Sequence, residues 1–93
     1  MKILFSKFAK NELDDAVSFY ETELAGLGIL FKKEIRSSIL RIKEHPKAWS
    51  IEKGDVRKAL LHRFPYKILY SIEKDHIVIL AIAHQHRKPN YWV

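Results

Sequence analysis

Apolar residues recur at helical spacing in two stretches of the first half of the chain. Ser6 is a suitable N-cap for the first helix, and Gly26 and Gly28 are expected to end it. A second helix is predicted from about Ile29 to the His45-Pro46 pair, because the residue before a proline disfavours the helical region. The two predicted apolar stripes are Phe8, Leu13, Ala16, Val17, Tyr20 and Leu24, then Phe31, Ile35, Ile39 and Ile42. Helices joined this closely are expected to form an antiparallel hairpin.

The hydrophobic period changes after Pro46. Residues 47–55 are predicted to be a polar loop, and residues 56–64, 66–72 and 76–83 are predicted strands. Residues 1–5 form a further short apolar run, and residues 73–75 are few enough to close a hairpin. The last strand is apolar on both faces, which is typical of a central strand. The sequence therefore predicts one α+β domain over residues 1–93, ordered β-α-α-β-β-β, with the helical hairpin packed on one face of a small, mostly antiparallel sheet.

Two helices can cover only one face of such a sheet. The other face is predicted to expose more apolar surface than a free monomer normally shows, notably at Leu61 and Leu69. We therefore expect a protein partner to bind there.

The absence of cysteine excludes disulfides, zinc–thiolate sites and thiol nucleophiles, and it favours a reducing cytoplasm. No segment has the pattern of a signal peptide or a membrane span, so we expect a cytoplasmic protein with no membrane partner. The net charge of +6 is uneven: residues 1–44 hold 8 Lys and Arg against 7 Asp and Glu, whereas residues 45–93 hold 9 against 4, with all five histidines. This basic second half is suited to nucleic acid, acidic protein or anionic lipid.

Residues 56–92 carry a combination of motifs. It consists of Arg57 on the first strand, Phe64-Pro65-Tyr66 leading into Ile68 and Tyr70, and then His84, Arg87, Pro89, Tyr91 and Trp92. With these motifs the chain resembles the RelE/ParE toxins of bacterial type II toxin–antitoxin systems. The resemblance implies a growth-inhibiting toxin that a cognate antitoxin neutralises, with a toxin–antitoxin heterotetramer as one expected assembly.

The family divides by target. RelE-like members cut mRNA on the ribosome, and ParE-like members inhibit DNA gyrase. Gln85 stands about where RelE nucleases usually carry a further arginine, and the tail resembles the ParE and plasmid-stabilisation branches. Gyrase inhibition is therefore the favoured expectation. A ribosome-dependent endoribonuclease is the alternative, and an inactive toxin retained for complex formation is a third possibility.

Cleavage of RNA by its own 2′-hydroxyl needs a proton acceptor, a proton donor and positive charge. The candidate nuclease residues are Arg57, Arg63, Lys67, His86, Arg87 and Tyr91. Strand alternation predicts that they form a basic, aromatic-edged patch at the open end of the sheet. The candidate residues for binding a target or the antitoxin are Arg57, Leu61, Arg63, Leu69, His84, Arg87 and Tyr91.

Histidines at 84 and 86 could contribute two metal ligands, but no third ligand is evident. Neither a metal nor a cofactor is expected. Trp49 is either a partner anchor or a buried side chain, and Trp92 is expected to seal the core together with Pro89.

Overall fold

The computed structural model describes residues 1–86 and 91, and it contains two helices and five strands in that part of the chain. The elements are β1 Lys2–Phe5, α1 Lys7–Glu23, α2 Leu27–Glu44, β2 Ser50–Lys53, β3 Val56–Leu60, β4 Tyr66–Ile72 and β5 His76–His84. The strands form one sheet in the order β1-β5-β4-β3-β2. β1 runs parallel to β5, and the other three pairings are antiparallel. The predicted α+β class and the packing of the hairpin on the sheet are confirmed.

The first helix begins where the sequence predicts. The Ser6 hydroxyl oxygen accepts a hydrogen bond from the Ala9 N–H at 3.0 Å, and the same hydroxyl donates to the Leu80 carbonyl at 3.1 Å. The cap thus satisfies a free amide of the first turn and also joins the helix to β5.

The helical hairpin is closed by Glu21 and two glycines. Gly26 has a φ of 89°, a left-handed conformation that favours glycine, and the Glu21 carboxylate accepts the N–H groups of Gly26 and Gly28 at 2.8 and 3.0 Å. The expectation that Gly28 breaks the helix is wrong, because α2 already begins at Leu27. Gly28 instead permits close packing: a Cβ there would lie 2.6 Å from the Val17 carbonyl oxygen of α1.

The strand predictions need two corrections. Residues 47–55 are not all loop, because Ser50–Lys53 forms an edge strand that turns into β3 through Gly54, at a φ of 56°. The predicted strand over residues 56–64 ends at Leu60. Arg63 therefore lies in a connecting segment rather than on a strand.

The core lies between the helices and the sheet. Phe31, Ile35 and Ile42 of α2 are buried as predicted, as are Leu13 and Ala16 of α1. They pack with Ile68, Tyr70, Ile77, Ile79 and Ile82 of the two central strands. At the ends of the first stripe the prediction is wrong: Phe8 and Leu24 are 45% and 64% exposed, and Ala9 is buried in place of Phe8.

The prediction that Leu61 and Leu69 expose apolar surface is also wrong. Leu61 turns inward after β3 ends and joins the core cluster with 5% exposure. Leu69 alternates with the core residues Ile68 and Tyr70 and so belongs to the outer face, defined here as the sheet face away from the helices. It is nevertheless fully buried between its cross-strand neighbours Lys58 and Ala81.

The sequence analysis did not single out Leu60 as an exposed apolar residue on the outer face of the sheet. It ends β3 and is 51% exposed.

In the described part of the chain, neither helix is long and apolar enough to cross a membrane.

Candidate functional site

Arg57 is tied to the segment between α2 and β2. Its Nη1 donates to the Trp49 carbonyl at 2.6 Å and to the Lys47 carbonyl at 3.2 Å. Its cross-strand partner is Tyr70, whose hydroxyl donates to the Pro46 carbonyl at 2.6 Å. Burial raises the pKa of Tyr70 to about 12, against an opposing effect of the nearby Arg57 charge. Arg57 therefore has a structural role on the helix side of the sheet.

Trp49 packs partly buried against the core, and its indole nitrogen has no hydrogen-bond partner among the described residues. The structure therefore shows partial burial of this residue, and its role as a partner anchor stays a prediction.

Lys67 lies on the outer face of the sheet. Its Nζ is 3.3 Å from a carboxylate oxygen of Glu52, and the Lys58 Nζ lies 3.7 Å from the same oxygen. Only 16% of the Lys67 side chain is exposed. The aliphatic stems of these lysines can cover apolar surface, which accounts for the burial of Leu69 beneath them.

Arg63 meets α2 at the opposite end of β3 from Arg57. Its Nε lies 3.6 Å from Oε1 of Glu34, although the Arg63 side chain remains 70% exposed. The buried Glu34 carboxylate also accepts the backbone N–H groups of His62 and Arg63. Glu34 therefore fixes the conformation of the connection between β3 and β4.

His84 and His86 come together at the end of β5. Their ring centroids are 5.3 Å apart, and His84 Nδ1 accepts the His86 N–H at 3.2 Å. The His84 ring also packs edge-on against Tyr66, with 5.3 Å between centroids. No group of three or more potential metal-ligating side chains occurs among residues 1–86 and 91. Strand-end hydrogen bonding, as predicted for His84, is what its contacts show.

Tyr91 contacts the beginning of α1. Its hydroxyl donates to Glu12 Oε2 at 2.6 Å, and its ring lies 5.9 Å from that of Phe8. The other oxygen of Glu12 accepts the Ile82 N–H at 2.8 Å, beyond the point where β1 stops pairing with β5. Glu12 therefore joins the C-terminal aromatic residue to the central strand. Arg87, Pro89 and Trp92 lie outside the described residues, so their predicted roles stay predictions.

The predicted cationic patch does not form one site in the described structure. Arg57 and Lys67 lie on opposite faces of the sheet, and Arg63 lies against α2. A nuclease needs its proton-transfer groups within hydrogen-bond reach of one scissile phosphate. The three described cations of the candidate set do not meet this condition together, because carboxylates or carbonyls hold each of them in a different place.

A shallow apolar groove of about 270 Å³ lies between the helices and the end of β1, and sequence reasoning missed it. We call it the hairpin groove, and its lining residues are Phe5, Leu13, Lys32, Ile35, Arg36, Ile39 and Leu40. Its charged lining residues are both cationic, and Leu40 is 55% exposed. The groove thus offers an apolar floor with a basic rim.

The architecture defines a class of protein, since a helical hairpin on one face of a five-stranded mixed sheet is the arrangement of RelE/ParE-like α+β proteins. Residues 3–89 match the family described as "ParE toxin of type II toxin-antitoxin system, parDE". The chain therefore belongs to the ParE toxin family.

A solved structure supports the fold. A chain described as "Chromosomal ParDE TA system from P. aeruginosa" superposes with a TM-score of 0.80 at 18% identity, covering 90% of this chain and 95% of that chain. No curated sequence gives a significant match.

Proposed function

We propose that this ParE-family toxin inhibits growth by binding DNA gyrase and that a cognate antitoxin neutralises it. The observation that carries the choice of target is the dispersal of the candidate nuclease groups. Arg57 donates to carbonyls, Lys67 pairs with Glu52 and Arg63 pairs with Glu34. This arrangement favours a protein that acts by binding over one that cleaves a phosphodiester.

The gyrase contacts are proposed at exposed residues near the end of β5. Among the residues expected to bind a target, Arg63 is exposed and His84 is partly exposed, and the candidate nuclease residue His86 is also exposed. Arg87 and Tyr91 remain candidates with them. Leu61 and Leu69 are withdrawn, because both are buried.

The test compares two activities of the purified full chain. Gyrase-catalysed supercoiling should be inhibited at micromolar protein, whereas mRNA on programmed ribosomes should stay intact. Codon-dependent mRNA cleavage without gyrase inhibition would reverse the assignment of the target. If the toxin affects neither reaction, the inactive toxin that serves only in complex formation becomes the better description.

The hairpin groove supports the antitoxin part of the proposal. An amphipathic helix can place an apolar face in such a groove, and acidic side chains on its flanks would meet Lys32 and Arg36. The occupant proposed is therefore an acidic, amphipathic helix of the antitoxin. The mass of the purified complex by light scattering then tests the heterotetramer against a one-to-one pair.

Substituting one exposed leucine of α2 tests the groove. Leu40→Glu places a carboxylate on the apolar floor, so we expect antitoxin affinity to fall by about tenfold or more, as for a central interface residue. Leu30→Glu is the matched control, since Leu30 is also exposed on α2 but does not line the groove. Binding by isothermal titration calorimetry measures both, and equal losses in the two variants would place the antitoxin elsewhere.

A further inference from the structure

A second cleft, of about 220 Å³, lies between α2 and the connection from β3 to β4. We call it the polar cleft, and its lining residues are Lys33, Glu34, Ser37, Arg41, His62 and Arg63. None of these side chains is apolar, whereas most of those that line the hairpin groove are. The two clefts lie on opposite sides of α2.

Glu34 builds one wall of the polar cleft. Its carboxylate is 7% exposed and accepts the backbone N–H groups of both His62 and Arg63. These hydrogen bonds hold the connecting segment against α2, so that His62 and Arg63 line the cleft. The one carboxylate in the lining is therefore occupied in holding the backbone.

The remaining lining groups are predominantly hydrogen-bond donors. Lys33, Arg41 and Arg63 supply three positive charges against the single negative charge of Glu34. The formal net charge of the lining is therefore +2, with histidine counted as uncharged. Arg41 donates to the Ser38 hydroxyl at 3.1 Å, and within residues 1–86 and 91 neither Arg41 nor Lys33 forms an ion pair with a carboxylate. The Ser37 hydroxyl and the His62 imidazole are the other polar groups of the lining.

This set of groups matches the chemistry of a phosphate. Guanidinium and ammonium groups with a hydroxyl nearby are the usual donors to phosphate oxygens. An acidic protein segment would also bring negative charge, but a protein interface normally buries apolar side chains at its centre, and the residues that line the polar cleft are all polar or charged. We propose that the polar cleft binds a phosphate group of a nucleic-acid strand, at a site that shares Arg63 with the proposed gyrase contacts but no residue with the hairpin groove.

The experiment uses the full chain and two charge-matched double variants. Lys33→Gln with Arg63→Gln removes two cations from the cleft, while Lys43→Gln with Lys53→Gln removes two exposed cations that do not line it. The probes are a fluorescein-labelled 12-nucleotide single strand, the corresponding duplex, inorganic phosphate and a nucleoside monophosphate. Fluorescence anisotropy gives affinities for the strands at several salt concentrations, and amide chemical shifts report the small probes.

We expect the cleft variant to bind the labelled strand about tenfold more weakly, with a salt slope reduced by roughly one, as for a lost phosphate contact. The control variant should lose less than about threefold. Inorganic phosphate should shift the amide signals of Ser37 and Arg63. A response to the free phosphates without strand binding would identify a nucleotide site and overturn the nucleic-acid assignment.

Two other results would also overturn the proposal. Equal weakening in the two double variants would mean that diffuse charge, not this cleft, attracts the strand. Tighter binding of an oligoglutamate peptide than of any phosphate probe would identify an acidic protein as the ligand. Because Arg63 pairs with Glu34, the single variant Lys33→Gln preserves that ion pair and must show the same trend.

Discussion

At the scale of single residues, Tyr70 places an ionisable phenol in the centre of the core. Its side chain is fully buried, and burial raises its pKa to about 12. The neutral phenol therefore stabilises the fold fully below pH 10, where the unfolded tyrosine is also neutral. Between about pH 10 and 12 the unfolded form ionises first, so this contribution, on the order of 2 kcal/mol, is lost as the pH rises.

The Tyr70→Phe variant tests this pH dependence. At neutral pH it should be less stable by about 1 kcal/mol, because the hydrogen bond to the Pro46 carbonyl is lost. Above pH 10 its stability should fall less steeply than that of the wild type. Urea unfolding at several pH values measures both effects, and parallel curves for the two proteins would show that Tyr70 does not titrate as described.

Glu12 also has a role at the residue scale, because its two oxygens join Tyr91 to the Ile82 backbone. A double-mutant cycle with Glu12→Gln and Tyr91→Phe should give a coupling energy of about 0.5–2 kcal/mol, since the two groups share one hydrogen bond. Thermal unfolding of the four proteins supplies the values. Strict additivity would mean that the contact contributes nothing to stability.

At the scale of secondary-structure elements, the distance between the helices depends on Gly28. Gly28→Ala should destabilise the protein by about 1–3 kcal/mol, because the new methyl group would meet the Val17 carbonyl oxygen and force the helices apart. Ser18→Ala, at an exposed position of α1, is the control and should change stability by less than about 0.5 kcal/mol. Urea denaturation measures the free energy of unfolding of both variants. If Gly28→Ala is as stable as the wild type, the helices of the hairpin can move apart without cost.

The helices could be predicted from sequence because their apolar stripes have a clear period. The edge strand β2 could not, because its residues Ser50, Glu52 and Lys53 carry little apolar signal and its pairing depends on β3. The inward turn at Leu61 was missed for a related reason. Residues 56–64 read as one continuous strand, and only tertiary contacts such as that of Glu34 with the following backbone end it at Leu60.

The candidate site was predicted less well than the fold. Residue type marked Arg57, Arg63 and Lys67 as candidate cations, but it did not reveal their partners. Those partners are carbonyls and glutamates of other segments of the chain. A glutamate such as Glu34 on a helix looks solvent-exposed until the tertiary structure is known. Only the geometry shows that the cations are separated.

At the scale of the whole molecule, one apolar cluster includes residues from both helices and three of the five strands. We therefore expect cooperative two-state unfolding, as is usual for small single domains. Far-UV circular dichroism, which reports the helices, and tryptophan fluorescence should give coincident transitions. Separate midpoints would contradict a single cooperative domain.

The parallel pairing of β1 with β5 has a consequence for synthesis of the protein. β1 pairs with β5, which runs from His76 to His84, so the first strand has no partner in the sheet until β5 has left the ribosome. Pairing over such a separation is slow because a long loop must close before the contact forms. A newly made toxin thus cannot complete its sheet before β5 emerges, which allows an antitoxin already present to meet each molecule before it finishes folding.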